Sequence, residues 1–168
     1  CGKLTVSFPY CVGQQPVYYS RIEGWHGRNY VDVPDMGPLY AFGYGMSYTR
    51  YRYANLALDR ASAKASETVK VSVDVTNVGD RAGVEIVQLY GNDRYSSVTT
   101  PSKQLKGHQR VALAPGQTQT VTFELKCADL WLIDVELRKV VEPGEFDIMV
   151  GPSSREADLL KATLTITA

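Results

Sequence analysis

The chain has 168 residues, of which 44% are apolar and 21% charged, and its 18 basic and 18 acidic side chains cancel to a formal net charge of zero. A neutral balance supplies no field to attract nucleic acid or an anionic membrane, so neither is expected as a partner. The length fits one domain plus an arm, and surface scaling lets about 70% of the extended chain's area be buried, enough for a core without disulfide staples.

The cysteines Cys1, Cys11 and Cys127 are odd in number, form no Cys-x-x-Cys and have no His at ligand spacing. Neither a disulfide framework nor a metal site is therefore expected. The odd count and the absence of an Asn-x-Ser/Thr site lean towards a reducing cytoplasm. Cys1-Gly2-Lys3-Leu4 is neither the basic nor the apolar part of a signal peptide and reads as a cut into a longer protein. The longest apolar stretch, Leu130 to Val135, is broken by Asp134 and is too short to span a bilayer.

In chain order, Leu4-Thr5-Val6-Ser7-Phe8 alternates and stops at Pro9, the pattern of one half-buried strand. From Pro9 to Gly45 the sequence is rich in Pro, Gly and aromatics without a period of 2 or 3.6, which predicts a long structured connector lying on another surface. Phe42-Gly43-Tyr44-Gly45 within it lacks the strand, the helix and the Lys-Ser/Thr of a phosphate loop. Its glycines instead predict a close backbone approach, with Phe42 and Tyr44 as anchors. No cofactor is expected.

Strand signals begin near Tyr48 and run through Leu58. Val69, Val71, Val73 and Val75 alternate strictly with polar residues, the clearest strand in the chain. Asn77 to Gly83 reads as a turn whose Asn and Gly accept positive φ. Further strands are predicted at Val84–Tyr90, Lys103–Leu113, Gln119–Leu125, Phe146–Val150 and Ala162–Thr167, and another around Leu130–Val141 after a possible helical turn at Ala128-Asp129-Leu130. Ala114-Pro115-Gly116-Gln117 and Glu142-Pro143-Gly144-Glu145 both read as type II turns with Gly at positive φ. Seven short strands with regular turns describe an all-β fold, an immunoglobulin- or fibronectin III-like β-sandwich behind an extended N-terminal arm. Register places Val71, Val73 and Val75 in one core with Val87, Leu89 and Phe123.

Several strings taken together resemble the C-terminal part of glycoside hydrolase family 3. They are Gly2 to Pro9 with Val12-Gly13-Gln14, Pro38 to Tyr48, Thr76 to Gly79, Gly83 to Tyr90, Lys103 to Gly107, and Val141 to Phe146, ending near Val150-Gly151. The resemblance spans nearly the whole chain in order. It implies that residues 1–9 are the tail strand of an upstream α/β sandwich domain, 10–45 an extended linker arm and 46–168 a fibronectin III-like domain. It further implies that the parent is a β-glucosidase or related exo-glycosidase and that both catalytic carboxylates lie upstream. No catalytic residue carries over. His108 and Ala41 depart from the family's usual aromatic and proline, and Ser20 to Met36 matches it poorly.

Retaining glycoside hydrolysis needs two carboxyl groups about 5 Å apart. The acid pairs Asp32/Asp35, Asp129/Asp134 and Glu142/Glu145 read as turn residues. His26 and His108 have no Ser or Cys partner, and Cys127 reads as a small core residue. Trp25, Arg28, Tyr30 and Asp32, with His26 and Asn29, form the densest mixture of rings and hydrogen-bonding groups. They are the candidate substrate-binding set, weighed against simple packing of the arm. Tyr40, Phe42 and Tyr44 are the candidates for interdomain docking. The expected partners are the upstream catalytic domains and, through them, a carbohydrate substrate. The expected role is an accessory domain that packs against and stabilises those domains, inactive alone, with a free-standing carbohydrate-binding or adhesion module as the alternative.

Overall fold

A computed structural model describes residues 2–14, 16–22 and 37–168. Among them are strands β1 (Tyr51–Leu58), β2 (Ser62–Lys64), β3 (Thr68–Asn77), β4 (Gly83–Asp93), β5 (Gln104–Leu113), β6 (Thr118–Lys126), β7 (Leu132–Ile133), β8 (Lys139–Val140), β9 (Gly144–Gly151) and β10 (Leu160–Thr167). One sheet has the order β1-β3-β6, the other β2-β10-β9-β4-β5, and β7-β8 is a separate small hairpin. Residues that alternate apolar and polar face the opposite sheet with their apolar side. The four valines of β3 are fully buried, and Val71, Val73 and Val75 share one core with Val87, Leu89 and Phe123 as their register predicts. Phe146, Ile148 and Leu164 complete it from β9 and β10.

The first edge changes sheets. β1 pairs antiparallel with β3, while β2 pairs parallel with β10. The ladder of β1 slips between Ala54 and Ala57, where Asn55 takes φ 54°; such an irregularity bends a strand and re-aims it. β4 and its neighbour β9 are buried along most of their length, β4 from Val87 to Gly91 and β9 from Ile148 to Gly151 without a gap. In β4 the two faces have different partners. Its inward residues meet the other sheet, and its outward Tyr90 joins Met149 and Leu159 in a second cluster that Tyr19 and Phe42 of the arm cover. A strand packed on both faces no longer alternates, which is why Val84–Tyr90 reads as a near-continuous run.

Several local expectations are corrected. Residues 4–8 form no ladder: they are extended and make a single bridge, Phe8 to Tyr40, with Val6 and Phe8 exposed. Tyr48 lies outside β1 and is exposed. Leu130–Val141 is not one strand. A 3-10 turn at Cys127–Asp129 leads into the hairpin β7–β8, because Asp134 Oδ1 accepts the backbone N–H groups of Glu136 and Arg138 and folds the chain back. Of the two Pro-Gly turns only the first has the expected geometry, with Gly116 at φ 73° and Gln117 N–H donating to Ala114 O at 3.0 Å. Gly144 lacks positive φ because it is already part of β9, opposite Ile166.

The turn after β3 works by close approach and a buried amide. Asn77 Nδ2 donates to Arg81 O and Leu113 O, and its Oδ1 accepts from Thr49 Oγ1 and Gly79 N–H. A Cβ on Gly79 would stand 2.2 Å from Thr49 Oγ1, and one on Gly83 2.3 Å from the Tyr51 hydroxyl.

Candidate functional site: a clasp between arm and sandwich

The N-terminal segment runs against the end of the arm. Leu4 N–H donates to Tyr44 O and Gly43 N–H to Leu4 O, both at 2.8 Å, and Phe8 and Tyr40 exchange backbone bonds at 2.8 and 3.3 Å. The Phe8 and Tyr40 rings meet edge to face at 6.4 Å, and Tyr40 stacks on Tyr44 at 5.4 Å. These contacts join residues 4–8 to residues 40–44 and form the base of the site.

Beneath this base lies a buried polar cluster. Lys3 Nζ donates to Glu85 Oε1 at 2.7 Å and to Pro152 O at 3.0 Å, and the two side chains are only 10% and 4% exposed. Tyr53 Oη donates to the same carboxylate oxygen at 3.3 Å. Burial, reinforced by the Glu85 charge, pushes the Tyr53 phenol far above its ordinary range, so it stays a donor. An ion pair out of water is sustained only when its remaining hydrogen-bonding capacity is filled; Tyr53 and the Pro152 carbonyl do that here.

Gln88 forms the second part. Its Nε2 donates to Gly43 O at 3.1 Å and Pro152 O at 2.7 Å, and its Oε1 accepts from Tyr90 Oη at 2.5 Å. Burial also raises the Tyr90 phenol, which remains a donor. Gly43 sits at φ 76°, and a Cβ there would lie 2.0 Å from Gln88 Oε1, so both its conformation and its neighbour require glycine. Phe42 O accepts from Ser154 N–H at 2.9 Å, while its ring stacks on Tyr19 at 4.1 Å and 16°. The Tyr19 hydroxyl oxygen accepts from Leu105 N–H at 3.3 Å.

The loop between β9 and β10 is the hub of these bonds. Its Pro152 carbonyl receives Lys3 and Gln88, its Ser154 N–H holds Phe42, and its Ser154 carbonyl receives Lys103 Nζ at 3.2 Å. Lys103 also pairs with Glu156. Such a cluster has no nucleophile or proton relay aimed at open space; what it does is fix the position of residues 2–4 and 42–44 against β4.

Trp25, Arg28, Tyr30 and Asp32 lie outside the described residues, as does the pair Asp32/Asp35. Phe42 uses its ring on the chain's own sandwich, whereas Tyr40 keeps 44% of its surface exposed beside Val6, Phe8, Tyr10, Val12 and Leu39, all exposed as well. Of the remaining acids considered from the sequence, Asp134 is engaged with Arg138, Glu142 with Ser97 and Glu145 with Arg94, while Asp129 is exposed in the turn before β7. Sequence reasoning missed Lys3, Glu85, Gln88 and Lys103. A signal was present, since Glu85 shares a strand face with Val87 and Leu89, where an acid must be paired.

The two-sheet sandwich and its covered outer face define a fibronectin type III-like domain, and residues 85–154 match the family model of that description. Across 98% of its length the chain is 46% identical to a β-xylosidase of Formosa agariphila, and across 91% it is 37% identical to a periplasmic β-glucosidase of Salmonella typhimurium. It superposes on the β-glucosidase structure from Erythrobacter marinus with a TM-score of 0.91 at 43% identity over 99% of the chain. It spans 23%, 21% and 22% of those three proteins, respectively. The matched stretch is their C-terminal end, and the chain belongs to the C-terminal region of glycoside hydrolase family 3.

Proposed function

We propose that this chain serves as the C-terminal accessory region of a β-glucosidase- or β-xylosidase-type exo-glycosidase, docking on the catalytic domains and holding them in register. In this reading residues 1–9 continue an upstream α/β domain and residues 10–45 are the linker arm to the sandwich. Tyr40 and Tyr44 face the upstream domains, and Trp25, Arg28, Tyr30 and Asp32 contribute to the substrate entrance. The carrying observation is the clasp. Buried contacts hold the N-terminal segment to β4 while Val6, Phe8, Val12 and Leu39 stay exposed beside it, an apolar edge suited to further burial. A rigid ion pair under that edge would transmit the position of the upstream domains to the sandwich. A free-standing module is not favoured, because the relatives carry the matching stretch within much longer chains.

Two assays test this. The isolated chain is expected to show no turnover of aryl β-glucosides or β-xylosides; turnover above a heat-killed control that survives repurification overturns the assignment of catalysis to upstream domains. Exchanged for the corresponding region of the Formosa agariphila β-xylosidase, the chain should preserve activity. An inactive, well-folded chimera contradicts the accessory role.

A further inference from the structure

At the Asp93 end of β4 a cleft of about 220 Å³ opens against the β7–β8 hairpin. Its walls include Asn92 and Asp93 from β4, Gln104 and Lys106 from β5, and Trp131 and Ile133 from the hairpin. Trp131 is 40% and Ile133 45% exposed, two apolar side chains that the hairpin presents at the edge of the sandwich. One face of the indole carries the Lys139 ammonium at 4.4 Å from its centroid. Ile133 pairs with Lys139 across the hairpin, whose turn Asp134 fixes, so the ring is held by rigid neighbours.

The polar groups are tethered too. Lys106 Nζ donates to Gln104 Oε1 at 2.7 Å and to Asp129 O at 2.6 Å, and Asp93 Oδ1 accepts Tyr95 N–H at 3.2 Å. Asn92 is half-buried and its side-chain amide makes no hydrogen bond among the described residues. Among the wall residues the Asp93 carboxyl and the Lys106 ammonium balance, and the nearby Lys139 ammonium is engaged by one face of the indole, so no free cluster of like charge is offered to a phosphate or a metal cation. A half-exposed indole beside an unengaged amide, a second amide and a carboxyl instead matches an uncharged ring bearing hydroxyl groups: the apolar face of such a ring covers the indole and its hydroxyls meet the planar polar groups. The arm passes the rim, where Ile22 bridges Pro101, itself a wall residue.

We propose that this cleft is a saccharide-binding subsite, taking one neutral pyranose unit against Trp131 with Asn92, Asp93 and Gln104 as partners for its hydroxyls. The choice of a sugar rests on the glycosidase reading above. A subsite here would hold one unit of a glycan on the accessory domain.

The test is a titration of the isotope-labelled 168-residue chain with cellotriose and xylotriose, followed by NMR. Saturable shifts of the Trp131 indole N–H together with the Asn92 side-chain amide are expected with at least one sugar. Trp131→Ala should weaken binding by about tenfold or more, the loss of one stacked ring, and Asn92→Ala should weaken it less; unchanged β3 amide signals would show that both variants are folded. No shift at Trp131 with either sugar, or affinity unchanged in both variants, overturns the proposal. A silent titration beside an active chimera removes the subsite alone, while binding beside an inactive chimera removes the accessory role alone.

Discussion

Replacing Lys3 by Met keeps the length of the side chain and removes its charge, leaving Glu85 buried with only the Tyr53 hydroxyl. Removing one partner of a buried pair costs about 3 to 5 kcal/mol, chiefly because the other charge is left without compensation. One escape limits the loss: residues 2–8 can peel away, and water then reaches Glu85 at the cost of the backbone bonds at Leu4, Phe8 and Gly43. Urea denaturation measures the global term, and hydrogen exchange at Gly43 N–H, which donates to Leu4 O, measures the peeling. Lys3→Met should lower global stability by about 3 kcal/mol at pH 7 or accelerate exchange at Gly43 by a factor of the same free energy. Adding Glu85→Gln should recover most of the loss. A variant with stability within about 0.5 kcal/mol of the parent and unchanged exchange would refute the view that the pair clasps the segment.

Val73→Ala should cost on the order of 1 to 3 kcal/mol by urea denaturation, since it removes two methyl groups from a fully buried site, whereas Lys70→Ala on the exposed face should stay within about 0.5 kcal/mol; equal losses would contradict the register. Gly43→Ala and Gly116→Ala both place a side chain at positive φ, worth about 1 to 2 kcal/mol. Only at position 43 does the new Cβ also displace Gln88 and strand its buried bonds, adding about 1 to 3 kcal/mol, and similar melting losses for both would show that the Gln88 contact is dispensable. Burial pushes the Glu156 carboxyl up, but bonds from Lys103 and Lys161 outweigh it and hold the group below its usual range. Its folded pKa is thus depressed, so its contribution is present above the unfolded value of about 4.3 and lost as the pH falls through the folded one. The stability gap between the parent and Glu156→Gln should therefore narrow on acidification below about pH 5, and a widening gap would reverse the assigned sign.

Much of the sandwich was legible because its strands obey local rules. The β3 valines alternate with a period of 2, and Gly116 follows Pro115 where a type II turn demands it, so burial and conformation follow from neighbours in sequence. Leu130–Val141 misled because its apolar content suits a strand, while the decisive contact is Asp134 capping its own turn, a competition between side-chain and ladder hydrogen bonds that composition does not rank.

The amino-acid sequence by itself determined the all-β class, the inward face of β3 and the family resemblance, since each depends on periodicity or on short strings. Only the tertiary structure decided that Lys3 meets Glu85 across 82 positions and that Gln88 reaches Gly43 across 45. It also decided that Trp131 shares a cleft with Asn92. Such pairings carry no periodic signal: a charge or an amide is stable in the interior only where a distant partner completes it, and which partner arrives is fixed by how the two sheets and the arm close on one another.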